Sequence, residues 1–581
     1  MNFPDRPSRQ GASAMVLAAV LAVVLSIAGC SAIPRSGPVS TITAAVEDEG
    51  ISAQEFSPEG PSEGAAPERI LQDFITAGTG AGDGYSVARQ YLAPDLAASW
   101  QPEDRIVIFR ADPRIVQRGD EEEGPYLIQL ETTGTIDEQG VRTNTLLPSS
   151  ETITAEMVRI NGQWRISEIP DGILITESNA RALTISHTLY FYSSNYLYWV
   201  PDVRWFVRRT GVTARIVQAM LAGPAPYLQG SVTSAFPEGV TLARESVPIR
   251  SGVASVELSE EVLQDATELR LEQMQQQLQT NLVGLNDVTS VEMTAGQPIP
   301  LDEPEEDLVV PVLNPPVGNE QVAVSANELV TLRNGAVVPI DNFPSVASYS
   351  PKDPATSVSG SNYAFLSGDG TRLLATAPGS EVRLAAEGTA LTAPSFDPGN
   401  WVWTARAAPG GASGQGSEIV AVPPGGTTAN AVVVSAPWLA DRIVRELRIS
   451  RDGARALLVT ERAGVTEVLL AGITRSAQFV PQSFNAPLPL TIEGDIGTAK
   501  WAGDTTIVAS GTSAAATSVP VIHELSGSSE LMNPLTGVVN ISAGSNVEDA
   551  FYAQVGDLLL QRLGSAWTED AQNVQDPAFP G

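Results

Sequence analysis

Apolar and polar positions alternate differently in four successive stretches of the chain, and each period predicts its own kind of structure. An unbroken small and apolar run from Ala12 to Ile27 comes first. From Pro67 the apolar residues Ile70, Leu71, Phe74 and Ile75 fall at helical spacing behind a proline suited to a helix start. A glycine-rich break at Gly78–Gly84 and a second helical stretch carrying Val87, Tyr91 and Leu92 follow. The period then shortens to two, predicting strands at 105–109, 114–117, 126–132, 151–160 and 164–168. Asn161-Gly162 is a hairpin turn between the last pair. Helices first and an antiparallel sheet afterwards describe an α+β module over residues 67–185.

Residues 186–301 read as a second, α/β unit. Aromatic-rich strands at 188–192 and 196–200 flank the turn Ser193-Ser194-Asn195. Thr213 begins a helix with Ile216, Val217, Met220 and Leu221 on one face, and Gly223-Pro224 ends it. Strands are expected near 241–247 and 254–258. Ser259 is expected to cap a further helix with Leu263, Leu271, Met274, Leu278 and Leu282 mostly on one side. Residues 288–293 supply a closing strand. An acidic, proline-rich linker spans 302–320. From 321 to 581 the chain is all-β, with Ser367-Gly368-Asp369-Gly370, Phe396-Asp397-Pro398-Gly399, Ser450-Arg451-Asp452-Gly453 and the looser Trp501-Ala502-Gly503-Asp504 each preceding a strand. Turns recurring at tens-of-residues spacing predict a β-propeller of five or six blades.

Composition changes the picture in three places. The 581 residues carry a formal net charge of −33, which argues against nucleic acid and against anionic surfaces as partners. The single cysteine, Cys30, ends the run that follows Arg6 and Arg9, so charge, apolar core and small residues occur in the order of a secretory signal over residues 1–29. Residues 30–66 are rich in Pro, Gly, Ser, Ala and Glu. Ser31–Ala66 read as a disordered tether with a reach of about 33 Å r.m.s..

Ile27-Ala28-Gly29-Cys30 resembles the bacterial lipobox. The resemblance implies cleavage before Cys30 and a covalent diacylglyceryl and N-acyl lipid on its sulfur and amine, with no other cofactor. It places the protein on the extracytoplasmic face of the cell membrane, held by lipid instead of a spanning segment. Two acyl chains anchor where one is marginal.

Catalytic chemistry is hard to assemble. His187 and His523 are the only histidines and fall in different modules, so neither a triad nor a His/Cys metal set can be built. No catalytic or metal-binding residues are assigned, and the Asp-Gly pairs read as hairpin turns. One cluster stands out from the acidic background: Trp438, Arg442, Arg445, Arg448 and Arg451, with Arg455 beyond. It is either a set of arginines on a strand edge or a guanidinium patch for an anionic partner surface. The tyrosines and tryptophans from Tyr190 to Trp205 are either sheet core or a surface for sugar rings.

The strand Tyr196–Pro201, Leu221-Ala222-Gly223-Pro224, the segments 235–240 and 254–259, and the glutamine-rich helix after them resemble the GerMN domain. With Cys30-Ser31-Ala32-Ile33-Pro34 before them, Gly162–Ser167, and Asp576–Gly581 at the end, the order is similar to that of the actinobacterial LpqB lipoproteins. That resemblance implies a non-enzymatic partner of the MtrAB two-component system, acting through the extracytoplasmic domain of its histidine kinase MtrB, in envelope and division homeostasis. The main alternative is a wall-glycan receptor without catalysis, and a third reading is a hydrolase using a pair of carboxylates that the sequence does not single out.

Overall fold

A computed structural model describes residues 58–581 apart from 120–124, 265, 286, 300–308, 410–415 and 514, and apart from the side chains of 146 and 147. The signal, the lipobox and most of the tether therefore lie outside the described residues.

The first module follows its apolar stripes. Helix Pro67–Ala77 has proline at its start and buries Ile70, Leu71, Phe74 and Ile75. Strand Tyr126–Asp137 turns Tyr126, Ile128, Leu130 and Ile136 inward while Gln129, Glu131 and Asp137 face out. The sheet order is 163–168, 142–160, 126–137, 105–109 and 173–176, with 114–117 pairing the first four residues of 126–137. Asn161 and Gly162, with φ of 52° and 80°, close the hairpin between Arg142–Ile160 and Gln163–Glu168. Two consecutive left-handed residues give the turn whose twist matches that of its strands.

In the second module Thr184–Ser193 pairs antiparallel with Trp199–Val207, and Val253–Glu257 runs parallel to Ser290–Ala295. A parallel pair needs a crossover, which helix Glu268–Leu282 supplies. Three expectations change. The helix expected from Ser259 is a single 3₁₀ turn at Glu260–Leu263, and the α-helix begins at Glu268, where Thr267 Oγ1 accepts from Arg270 N. Helix Val212–Leu221 starts one residue before Thr213, with Gly211 at its N-cap. No strand forms over 241–247 among the described residues; Leu242 makes only an isolated bridge to Leu258.

Six consecutive antiparallel sheets of four strands or more fill residues 320–578. Each later sheet takes its strands in chain order, but the first borrows its innermost strand, Gln575–Ala578, from the far end of the chain, pairing Val322 with Ala578 and Val324 with Gln575. The innermost strands 352–356, 395–396, 443–449, 498–501, 538–543 and 575–578 neighbour one another in turn and close a ring. The all-β module is thus a propeller whose ring is closed by its last strand, leaving only the outermost strand of each sheet as an edge.

All described residues belong to one compact unit. One apolar core runs from the second module into the fourth and fifth sheets: Tyr227, Leu228 and Met220 share a cluster with Leu457, Val459, Leu470, Ile507 and Val521. The end of the expected linker is bound, not free. Val312 N donates to Leu197 O and Trp199 N to Val312 O, adding a strand-like edge to the aromatic hairpin.

Candidate functional site

Extended chain explains where the arginine cluster goes. Successive side chains on a strand point to opposite faces, so Arg445 and Arg448, three apart on one strand, cannot share one. Ile443–Ile449 is the innermost strand of the fourth sheet, with a bulge between Val444 and Glu446. Arg445 is exposed and pairs with Glu461 at 2.6 Å. Arg442 holds Glu467 at 2.9 Å and donates to Trp438 O, with its guanidinium 6.0 Å from the Trp438 ring. Arg448 and Arg451 instead point into the propeller axis. The structure separates the cluster into a surface pair and an axial pair.

At the axis, Glu446 is buried and surrounded. Arg448 meets its Oε1 at 2.8 Å, Lys500 and Thr498 also bond it, and Ala499 N donates at 3.3 Å. Burial pushes this carboxyl up, but Lys500 and Arg448 more than offset that and hold it down at about 2. Asp353 lies nearby, its backbone N–H donating to Asp576 Oδ2 at 3.0 Å. Burial and the Asp576 charge push its carboxyl up to about 6.

The seam with the second module uses the turn repeats. In Ser450–Gly453, Asp452 Oδ1 accepts from Ser450 Oγ at 2.6 Å and Ala454 N at 2.8 Å, which fixes the turn. Its Oδ2 accepts from Arg455 Nη2 at 2.6 Å, an ion pair with no exposure on the arginine. Arg455 also lies 4.8 Å from the Trp501 ring. Asp397, in the equivalent turn of the third sheet, accepts from Arg475 at 2.7 Å and Trp403 Nε1 at 3.1 Å. These turn aspartates are taken up by their own loops and by arginines, and among the described residues no cluster of His, Cys, Asp or Glu is arranged to hold a metal.

A matching pair joins the first two modules. Arg204 donates to Asp202 Oδ2 at 2.6 Å and to Gln139 O at 2.5 Å, and Ala225 N donates to the same Oδ2. The Tyr227 side chain, its pKa raised by burial, feels both Asp202 and Arg455 and so lies between the two buried pairs. A cleft of about 360 Å³ opens at this junction. Two of its four carboxylates are occupied: Glu103 is paired with Arg209 at 2.8 Å and Arg215 at 3.5 Å, and Asp137 Oδ1 accepts from Gln139 N and Val141 N.

The histidines lie apart and bound, His187 Nε2 to Asn281 O at 2.8 Å and His523 Nδ1 to Ser529 Oγ at 2.9 Å. Most of the aromatic set is packing: Tyr192 lies 4.3 Å from Trp199 and 5.0 Å from Tyr196, ring to ring, with Tyr192 and Trp199 buried. Lys500, Glu446, Asp353 and Arg455 are the axial and seam residues that sequence reasoning did not pair. Lys500 carried a signal all the same: it is one of two lysines in the chain, placed directly before Trp501.

These features define a multidomain β-propeller protein whose modules are joined by a shared apolar core and by hydrogen bonds across the seams. Three family models match in the order of the modules: "Lipoprotein LpqB, N-terminal domain" over residues 60–181, "Sporulation and spore germination" over 188–298, and "Lipoprotein LpqB beta-propeller domain" over 327–580. The chain belongs to the LpqB lipoprotein family. It is 26% identical to Lipoprotein LpqB of Cutibacterium acnes over 84% of this chain and 82% of that protein. It is 25% identical to Lipoprotein LpqB of Streptomyces coelicolor over 99% of each. Among solved structures, the tandem GerMN domains of the sporulation protein GerM from Bacillus subtilis align at 16% identity with a TM-score of 0.17, over 26% of this chain and 59% of that one. Among the described residues no helix is long and apolar enough to cross a membrane.

Proposed function

We propose that the protein is a lipoprotein anchored through Cys30 on the extracytoplasmic face of the membrane, where it docks on the sensor part of the histidine kinase MtrB and modulates the MtrAB system. The observation that carries this reading is the LpqB family order over all three modules, built into one body. A rigid scaffold presents a fixed surface and loses less entropy on docking than a flexible one. Its charged residues serve cohesion, and no catalytic step is assigned to any of them. The aromatic set gives the glycan-receptor reading little surface, because Tyr192 and Trp199 are buried and Tyr190, Tyr196 and Trp205 pack against the cores.

In vivo cross-linking of the full chain tests the proposal, followed by identification of the captured protein and measurement of kinase phosphorylation. The native chain is expected to incorporate labelled palmitate and cross-link to the kinase. Cys30→Ala is expected to lose the label and most of the cross-link, because co-anchoring supplies the effective concentration. Capture of wall glycan with no kinase would favour the alternative, and an unchanged label on Cys30→Ala would remove the lipobox.

A further inference from the structure

A buried guanidinium without a carboxylate is costly, so buried charges are found paired. At the propeller axis Arg448 and Lys500 share Glu446, and in the adjoining seam Arg455 holds Asp452. Arg451 departs from the rule. It is 7% exposed and forms no ion pair among the described residues. Its guanidinium reaches only Ser545 Oγ at 3.3 Å, Ala543 O at 3.4 Å and Trp501 O at 3.5 Å. All three distances exceed the usual range for N–H···O bonds. Burial lowers its pKa to about 10, and the field of Asp504 opposes that only in part.

These acceptors belong to the innermost strands of the fifth and sixth sheets and the loop after the latter, so Arg451 leans across the ring from the fourth. Its five donors are far from satisfied. With Arg448 and Lys500 it lines a cavity of about 40 Å³, whose apolar side includes Trp501, Ile541, Ala543, Ala578 and Phe579. That space accepts a group of a few heavy atoms, since one water needs about 10–15 Å³ of the same measure.

We propose that this axial cavity binds a small organic monocarboxylate, with Arg451 gripping the carboxylate and the apolar wall taking its stem. A guanidinium fork matches a carboxylate bidentately. The other axial charges favour a monoanion over phosphate, because Asp353, Glu446 and Asp576 offset Arg448 and Lys500. The site does not depend on the kinase reading, and its test involves no kinase.

Thermal unfolding of the full lipidated chain in detergent is followed with sodium propionate, inorganic phosphate or sodium chloride at matched ionic strength. Propionate is expected to raise the midpoint saturably and more than phosphate does. Arg451→Met removes an uncompensated buried charge, so it is expected to raise the ligand-free midpoint while weakening the propionate response about tenfold or more, the loss of one charge-assisted hydrogen bond. Ala578→Val narrows the cavity and leaves Arg451 in place; it is expected to lose the response while staying folded. The proposal is overturned by an absent propionate response, by a larger phosphate response, by an unchanged response in Ala578→Val, or by an Arg451→Met protein that is less stable without ligand.

Discussion

Arg451 and Arg455 stand on either side of one Asp-Gly turn, and both touch Trp501, yet they belong to regions built on different terms. In the seam, Arg455 is fully buried against Asp452 and stacks near the indole ring. At the axis, Arg451 is almost as buried but meets only neutral oxygens at long range. A buried pair is neutralised within its own sheet, whereas a buried cation with no carboxylate in reach stores affinity for one from outside. The comparison teaches that residue type and burial do not settle what a charge does. The count of opposite charges within reach does.

The largest expected effect lies on the seam side. Asp452→Asn keeps the turn acceptor but strips the charge from beneath Arg455, leaving a buried guanidinium unpaired. Breaking one partner of a buried pair costs about 3–5 kcal/mol, and the retained hydrogen bonds place this variant near the lower end. The denaturant midpoint should fall accordingly. Adding Arg455→Met should restore much of the loss, because removing both charges is far milder than removing one. If Asp452→Asn were as stable as the native chain, the seam pair would be no different in kind from an exposed one.

A smaller effect, of opposite sign, comes from Asp353. Its carboxyl titrates at about 6 in the folded chain against an ordinary value of 3.8. Between those values the folded state binds more protons than the unfolded, so stability falls as pH rises from about 4 to 6 and stays at the lower level above. A shift of this size, discounted for partial exposure, is worth on the order of 1–2 kcal/mol. Asp353→Asn should therefore gain that much at pH 7.5 and nothing at pH 4. Asparagine also tolerates the left-handed backbone at this position, where φ is 48°. Urea unfolding of both chains across that pH range checks the sign as well as the size.

How much of this was legible beforehand follows the range of each interaction. Local signals were readable: the stripe Ile70, Leu71, Phe74 and Ile75, the Asn161-Gly162 turn, and the aspartate turns between strands of the second to fifth sheets. The start of helix Glu268–Leu282 was misplaced because Ser259 and Thr267 are both good caps and only tertiary packing chooses between them. The arginine cluster was visible as composition, but its division was not, since it depends on strand geometry and a bulge. The Glu446–Lys500 contact joins residues 54 apart in sequence, and Gln575–Ala578 completes a sheet begun at Glu320. No local pattern encodes such pairings.

The smallest expected effect marks the control for the whole comparison. Arg445 projects from the same strand as Arg448, yet its ion pair with Glu461 is half open to solvent, the arginine side chain being 52% exposed. Water screens such a pair and side-chain entropy opposes it, so exposed ion pairs contribute about 0.2–1 kcal/mol. Arg445→Gln should then shift the unfolding midpoint by about 0.5 kcal/mol or less, and 0.5 M salt should erase the difference. Its propionate response should match that of the native chain, because Arg445 does not line the axial cavity. A destabilisation as large as that of Asp452→Asn would mean that Arg445 carries buried contacts, and the division of the cluster into a surface pair and an axial pair would fall.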